Sequence, residues 1–270
     1  MKKIALTSLL AVFAVSAASA GNVISNNPFY RPSENHFYSV TSLGTSAGYD
    51  NEAASDYRLW NLGEEFGYGI TDKLSVYLNN SISANYPQTS SMSDDEYTWD
   101  NFGLAISYRG IDQETAKMDV YGGVKQLYGW NSQTGGALET NAYLWTVGTK
   151  VGVVMKDWTL AGIAEYNYYS DDVDSSDFDF SIWKIGMQSQ YVLSDNWNAT
   201  AGLIYNYVAA DDAIISFADF VYGDETFDAE LGLNYNIDST KFVGLYGTKT
   251  FHTDYSKDAY GMGVKFGMDF

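Results

Sequence analysis

Chemistry in this chain would have to come from few residue types. Cysteine is absent, and the only histidines are His36 and His252. His252, Asp254 and Ser256 alternate along one stretch, and an aspartate beside an imidazole can orient it for general-base work. On an extended strand, however, side chains at i and i+2 point in parallel, about 7 Å apart. These three therefore need a partner from a second strand before they can form a triad. Asp172 and Asp174 begin like a calcium loop, but the sixth position is Asp177 rather than Gly and the twelfth is Trp183 rather than Glu, so the segment is not an EF-hand. It reads as a solvated acidic loop, and no cofactor or metal site is expected. What remains is a set of ionisable residues scattered through otherwise alternating apolar stretches: Lys125, Lys150, Glu165, Lys184, Asp228, Glu230 and Lys265. Charges spread in this way suit an electrostatic lining better than a catalytic group.

The elements that must carry these residues are strands. From about residue 36 to the C-terminus, apolar and polar residues alternate in segments of about 10 to 14 residues, the two-residue period of β-structure. In the last segment Tyr260, Met262, Val264, Phe266, Met268 and Phe270 alternate with Gly261, Gly263, Lys265, Gly267 and Asp269. Twelve such segments are predicted, at 36–46, 57–70, 73–84, 98–109, 117–128, 139–155, 158–169, 178–193, 197–208, 224–237, 241–252 and 258–270. Their connections alternate in length. Residues 71–72, 156–157, 194–196 and 238–240 are tight turns, whereas 85–97, 129–138, 170–177 and 209–223 are long, and 110–116 is the short-side connection that fits least well. Pro28, Pro32 and Pro87 all fall outside the strands, where a missing N–H breaks no ladder.

Ahead of the strands lies an export signal. Lys2 and Lys3 precede an apolar run from Ile4 to Val15 and then Ala18-Ser19-Ala20, so residues 1–20 read as a cleaved secretory peptide. That run is too short for a spanning helix, which needs about 20 apolar residues, and no later stretch is long enough either. Residues 21–35 lack alternation and read as a periplasmic or lumen-entering segment. The formal net charge of −19 becomes more negative on cleavage, which makes nucleic acid an improbable partner.

Twelve amphipathic strands could close as a soluble barrel with apolar residues inside, but that lumen would be too wide for those side chains to fill. Apolar residues outward and polar residues inward solve the problem. An even strand count with short turns on one side and long loops on the other is the transmembrane pattern. It predicts an all-β, antiparallel up-and-down barrel over residues 36–270, with both termini on the short-turn, periplasmic side. Trp60, Trp99, Tyr143, Trp145, Trp158, Tyr166, Tyr168, Trp197, Tyr205, Tyr207 and Phe270 gather toward segment ends, where aromatic girdles meet the bilayer interfaces. Glu64 breaks the pattern among Trp60, Leu62, Phe66 and Tyr68, so the register predicts either a bulge that turns Glu64 and Glu65 inward or a slip at that point.

At the last strand the sequence resembles Gram-negative outer-membrane β-barrel proteins of the porin-like kind. Chains of that family typically end in Phe after apolar residues at every second position, which Met262, Val264, Phe266, Met268 and Phe270 match. Met268 stands where an aromatic is common. The resemblance implies that Phe266, Met268 and Phe270 form the assembly signal read by the barrel assembly machinery, and that the mature protein sits among outer-membrane lipids.

With the apolar face outward, the inward set includes Ser75, Asn79, Ser81, Asn101, Ser107, Asn198 and Asn234 together with the seven charged residues. Twelve strands lie between the filled eight-stranded barrel and the open porin, so a narrow water-filled lumen is expected. In it Lys125, Lys150 and Lys184 would face Asp228 and Glu230. Most other acids cluster in long loops, among them Asp94, Asp95, Glu96, Asp171, Asp172, Asp174, Asp177, Asp211, Asp212 and Asp219, so the outer mouth is expected to concentrate cations. The expected function is passive diffusion of small hydrophilic solutes or ions, with cations preferred and no enzymatic activity. The alternatives are a surface adhesin or structural barrel and, less favoured, a rim hydrolase built around His252.

Overall fold

The structure, a computed structural model, describes residues 27–50, 55–85, 96–131, 136–170, 180–209, 225–252 and 259–270. Twelve strands follow one another without a helix among the described residues: β1 (Phe37–Asp50), β2 (Ser55–Thr71), β3 (Leu74–Asn85), β4 (Glu96–Asp112), β5 (Ala116–Asn131), β6 (Gly136–Val154), β7 (Trp158–Ser170), β8 (Phe180–Val192), β9 (Trp197–Ala209), β10 (Glu225–Asn236), β11 (Lys241–His252) and β12 (Ala259–Asp269). Each pairs antiparallel with its sequence neighbours, and β12 returns to β1, closing the barrel. Closure leaves no unpaired edge. The seam is finished by Phe37 and Phe270, which exchange both backbone hydrogen bonds at 2.8 Å and stack their rings 6.0 Å apart.

The alternation in the sequence becomes two faces. Leu231 and Met262 point outward and are 68% and 67% exposed, whereas Asn198 and Asn234, on the same strands as outward Leu203 and Leu231, are 1% and 2% exposed inside. Trp60, Trp145, Trp158, Trp183 and Trp197 all stand on the outer face. The side chain of Trp99 lies outside the described residues. The interior is not uniformly polar, because Tyr38, Tyr77 and Phe242 form a buried aromatic cluster at the end that carries the short turns.

Those turns occupy 72–73, 113–115, 155–157, 193–196 and 237–240. The expected 110–116 connection is therefore shorter than the sequence suggested. A register shift between Arg109 and Ile111 lets β4 continue to pair Ile111 with Met118 and Asp112 with Lys117, and Gln113 N–H then closes onto the Ala116 carbonyl at 2.9 Å. A similar shift between Leu127 and Gly129 extends β5 and β6 into the expected 129–138 loop, leaving only 132–135 outside the described residues.

Glu64 behaves differently from either expectation. The β1–β2 register runs unbroken through it, pairing Thr41 with Glu64 and Val40 with Glu65. Glu65 faces inward and accepts the Tyr38 hydroxyl, while Glu64 stays on the outer face and accepts hydrogen bonds from Ser39 Oγ (2.7 Å) and Thr41 Oγ1 (2.5 Å). Neighbouring hydroxyls, not a bulge, accommodate the charge.

Candidate functional site

Residues 27–36 enter the barrel at the short-turn end. The approach is so close that a Cβ on Gly69 would collide with the Ser33 carbonyl. Asn35 takes a left-handed conformation (φ 62°), which Asn tolerates better than most residues, and its N–H bonds the Gly69 carbonyl at 2.8 Å. From there hydrogen bonds tie the segment to the wall in both directions, wall side chains holding its backbone and its own side chains reaching the strands. Lys150 Nζ donates to the Pro28 carbonyl at 2.9 Å, and Arg109 Nη2 donates to the Phe29 carbonyl at 2.5 Å. Arg31 Nη2 donates to the Ser107 carbonyl at 3.0 Å, and Asn27 Nδ2 to Thr159 Oγ1 at 3.3 Å. Phe29 is buried under the Arg109 guanidinium, 5.9 Å from its ring centre.

Tyr30 packs edge-on against Tyr38 at 5.3 Å and donates its hydroxyl to Asp269 Oδ2 at 2.9 Å. Burial first, and the Asp269 charge second, raise the Tyr30 pKa above the ordinary phenol range. Burial draws Arg31 down from its usual value, with Tyr77 and Asp119 opposing it.

Arg109 is itself fixed. It pairs across the β4–β5 ladder with Asp119 and reaches Asp112 at 3.1 Å, both partners of the pair with Asp119 being almost wholly buried. Above this clamp lies a cavity of about 120 Å³ bordered by Glu65, Asp119, Lys125, Lys150, Glu165 and Lys184. A cavity needs only about 10–15 Å³ to hold one water, so this one has room for several. A second cavity of about 40 Å³ is bordered by Pro28, Asp228 and Glu230. Since Pro28 borders the second cavity and its carbonyl is held by Lys150 of the first, the N-terminal segment runs between the two.

All seven sequence-selected charges fall on the inner face, and their partners are local. Lys184 lies 3.3 Å from Glu165, which also accepts Asn167 Nδ2 (2.8 Å) and Tyr121 OH (3.0 Å). Lys265 Nζ sits 2.9 Å from Glu230. Asp228 accepts Thr250 Oγ1 and Asn206 Nδ2, each at 2.7 Å. Lys125 borders the larger cavity beside Lys184 and Glu165. The acids thus stand beside the bases or are held by hydroxyl and amide donors.

Phe266 and Phe270 stand exposed on the outer face, and Met268 is half-buried on the same face. His36 is exposed at the short-turn end, 3.9 Å from Asp269. His252 closes β11, whereas Asp254, Ser256 and most of the acidic loop residues lie outside the described residues. Among the described residues no group of three or more His, Asp or Glu is arranged to hold a metal ion.

Sequence reasoning passed over Arg109 and Asp119, and considered Glu65 only together with Glu64. The signal was present: Arg109 has the parity of inward Ser107, and Asp119 that of inward Lys125.

The fold has relatives among solved structures. An outer membrane channel from Pseudomonas putida F1 aligns with a TM-score of 0.63 at 12% identity, over 88% of this chain and 96% of that one. The translocator domain of the autotransporter NalP from Neisseria meningitidis aligns with a TM-score of 0.56 at 12% identity, over 98% and 97% of the two chains. The NanC porin gives 0.51 at 10% identity, over 83% and 98%. No protein-family model matches the chain, and no curated protein aligns with its sequence. The architecture is that of twelve-stranded outer-membrane barrels.

Proposed function

We propose that this chain is an exported outer-membrane channel through which small hydrophilic solutes or ions diffuse passively, narrowed at its periplasmic end by residues 27–36. The observation that carries the reading is the pairing of an apolar outer wall with an inner cavity of about 120 Å³ rimmed by Glu65, Lys125, Glu165 and Lys184. A wall of that kind is stable in lipid, and a rim of that kind keeps water inside. The similarity to an outer membrane channel and a porin supports the same reading. Residues 1–20 serve as the cleaved signal, the short turns face the periplasm, and Phe266, Met268 and Phe270 present the last strand to the assembly machinery. Lys125, Lys150, Glu165, Lys184, Asp228, Glu230 and Lys265 line the path. With Glu165 paired to Lys184 and Glu230 to Lys265 inside the lumen, selectivity falls to the acidic loops at the outer mouth, which favour cations.

A second reading, a closed structural or adhesive barrel, is favoured by one observation: Arg109 and Lys150 hold the N-terminal segment across the lumen. The rim hydrolase rests on His252, Asp254 and Ser256, of which the last two lie outside the described residues. Liposome swelling separates the first two readings. The channel requires proteoliposomes to swell in small sugars or salts faster than protein-free liposomes, and a closed barrel gives no difference.

A further inference from the structure

Glu64 presents a problem that the channel does not use. It lies at the middle of β2 on the outer face, between exposed Leu62 and half-buried Phe66, and a carboxylate at that depth in a bilayer is costly. Ser39 and Thr41 supply two hydrogen bonds, but an ionised carboxylate can accept about four. Directly across the β2–β3 ladder from Glu64 stands Asn80, also outward, whose Oδ1 is buried without a hydrogen-bond partner. Around this polar pair the wall is apolar, with Leu43, Leu62, Leu78 and Phe102 all exposed.

We propose that the Glu64–Asn80 patch is the contact through which a second copy of this chain associates side by side in the membrane. The inference rests on the membrane reading, because only there is the patch surrounded by lipid. Its occupant follows from geometry. Copies inserted with the same orientation can pair symmetrically only about an axis along the membrane normal, so each residue meets residues at its own depth. Glu64 offers only acceptors, and the Asn80 amide offers two donors at the adjacent strand position. Across such an axis the Asn80 amide of one copy reaches the Glu64 carboxylate of the other, twice over. The acid is offset from the axis by a strand, so the two charges do not oppose each other. An amide rotated to present its donors outward also buries its oxygen, as Oδ1 is buried here. A lipid headgroup does not satisfy this site, since the patch lies at mid-depth and not at the interface.

The chain has no cysteine, so single cysteines report on the contact directly. Leu62→Cys and Leu78→Cys border the patch, and Leu203→Cys on β9 stands on the opposite side of the barrel. Each variant is reconstituted in phospholipid vesicles, its insertion is confirmed by vesicle flotation and heat-modifiable migration, and it is then oxidised. The expected result is a disulfide-linked dimer for Leu62→Cys or Leu78→Cys at least tenfold above Leu203→Cys. Adding Glu64→Leu with Asn80→Leu should return that yield to the Leu203→Cys background while insertion persists. Equal yields at all three positions, or a dimer that survives loss of Glu64 and Asn80, overturn the interface. Failure to insert at all overturns the membrane reading instead.

Discussion

Lys150 Nζ donates to the carbonyl oxygen of Pro28 at 2.9 Å, joining the sixth strand to a segment 122 residues earlier in the chain. Arg109 makes the neighbouring bond to Phe29 O while its other face is held by Asp119 and Asp112. These two cations hold the N-terminal segment by its backbone and connect what fills the lumen to what lines it.

Replacing Arg109 with Ala should loosen that segment and destabilise the barrel together. The change leaves Asp119 buried without its cation, a loss of about 3–5 kcal/mol for a buried pair with one partner removed. Lys150→Met removes one charged hydrogen bond, worth about 1.5–3 kcal/mol. Both are read as a lower urea midpoint for the heat-modifiable form, with Arg109→Ala the larger shift.

The seam at Phe37 and Phe270 predicts an assembly defect. Deleting Phe270 removes two backbone hydrogen bonds and the ring contacts with Phe37 and Phe66. Insertion into vesicles or cells should fall, and Phe270→Tyr should retain it because the backbone pair and the ring both survive. Wild-type insertion by the deletion variant contradicts the role assigned to this residue.

Neighbouring positions on β10 test which face meets lipid. Leu231→Arg places a cation at mid-depth in hydrocarbon and should cost about 2–4 kcal/mol. Glu230→Gln, one residue away but facing Lys265 in the lumen, weakens a buried pair yet should leave insertion intact, whereas Leu231→Arg should impair it. A reversed order of the two effects means the faces are exchanged.

The architecture was legible from parity alone. Alternation through Met262, Val264, Phe266 and Met268 determines which side is apolar, and the strand count and even closure follow from its repetition. What escaped was whatever alternation does not encode. The β4–β5 and β5–β6 connections were drawn too long because a register shift lets pairing resume beyond the break in the pattern. The inward aromatics Tyr38, Tyr77 and Phe242 share parity with polar residues, so a rule of apolar outward misses them. The N-terminal segment was the least legible. Its anchors accept through main-chain carbonyls of Pro28 and Phe29, which every residue possesses, so no side-chain signature marks them. Of the interior charges, seven were evident while Arg109 and Asp119 were not, and pairings such as Lys265 with Glu230 escaped because those residues lie on strands that are not neighbours.

The contact of Tyr30 with Asp269 carries a pH dependence. A group whose folded pKa is raised contributes stability that is fully present below its unfolded value, about 10 for tyrosine, and is lost as pH rises through the folded value. The N-terminal segment should therefore stay docked through pH 10, with Tyr30→Phe releasing no extra segment at neutral pH beyond the loss of one hydrogen bond. Protease access to residues 21–36 in detergent-solubilised protein follows the docking. Cleavage rising sharply well below pH 10 in the wild type but not in Tyr30→Phe contradicts the assignment.

The most direct test of a hydrophilic path through the barrel is single-channel current across a planar bilayer containing the mature chain. The account predicts small discrete steps, enlarged when Lys150→Met or Arg109→Ala frees the N-terminal segment. Reversal potentials across a salt gradient should favour cations at low salt and lose that preference at high salt, as the Debye length falls from about 30 Å at 0.01 M to about 3 Å at 1 M. Correctly inserted protein that stays silent, both as wild type and with the segment freed, contradicts the channel.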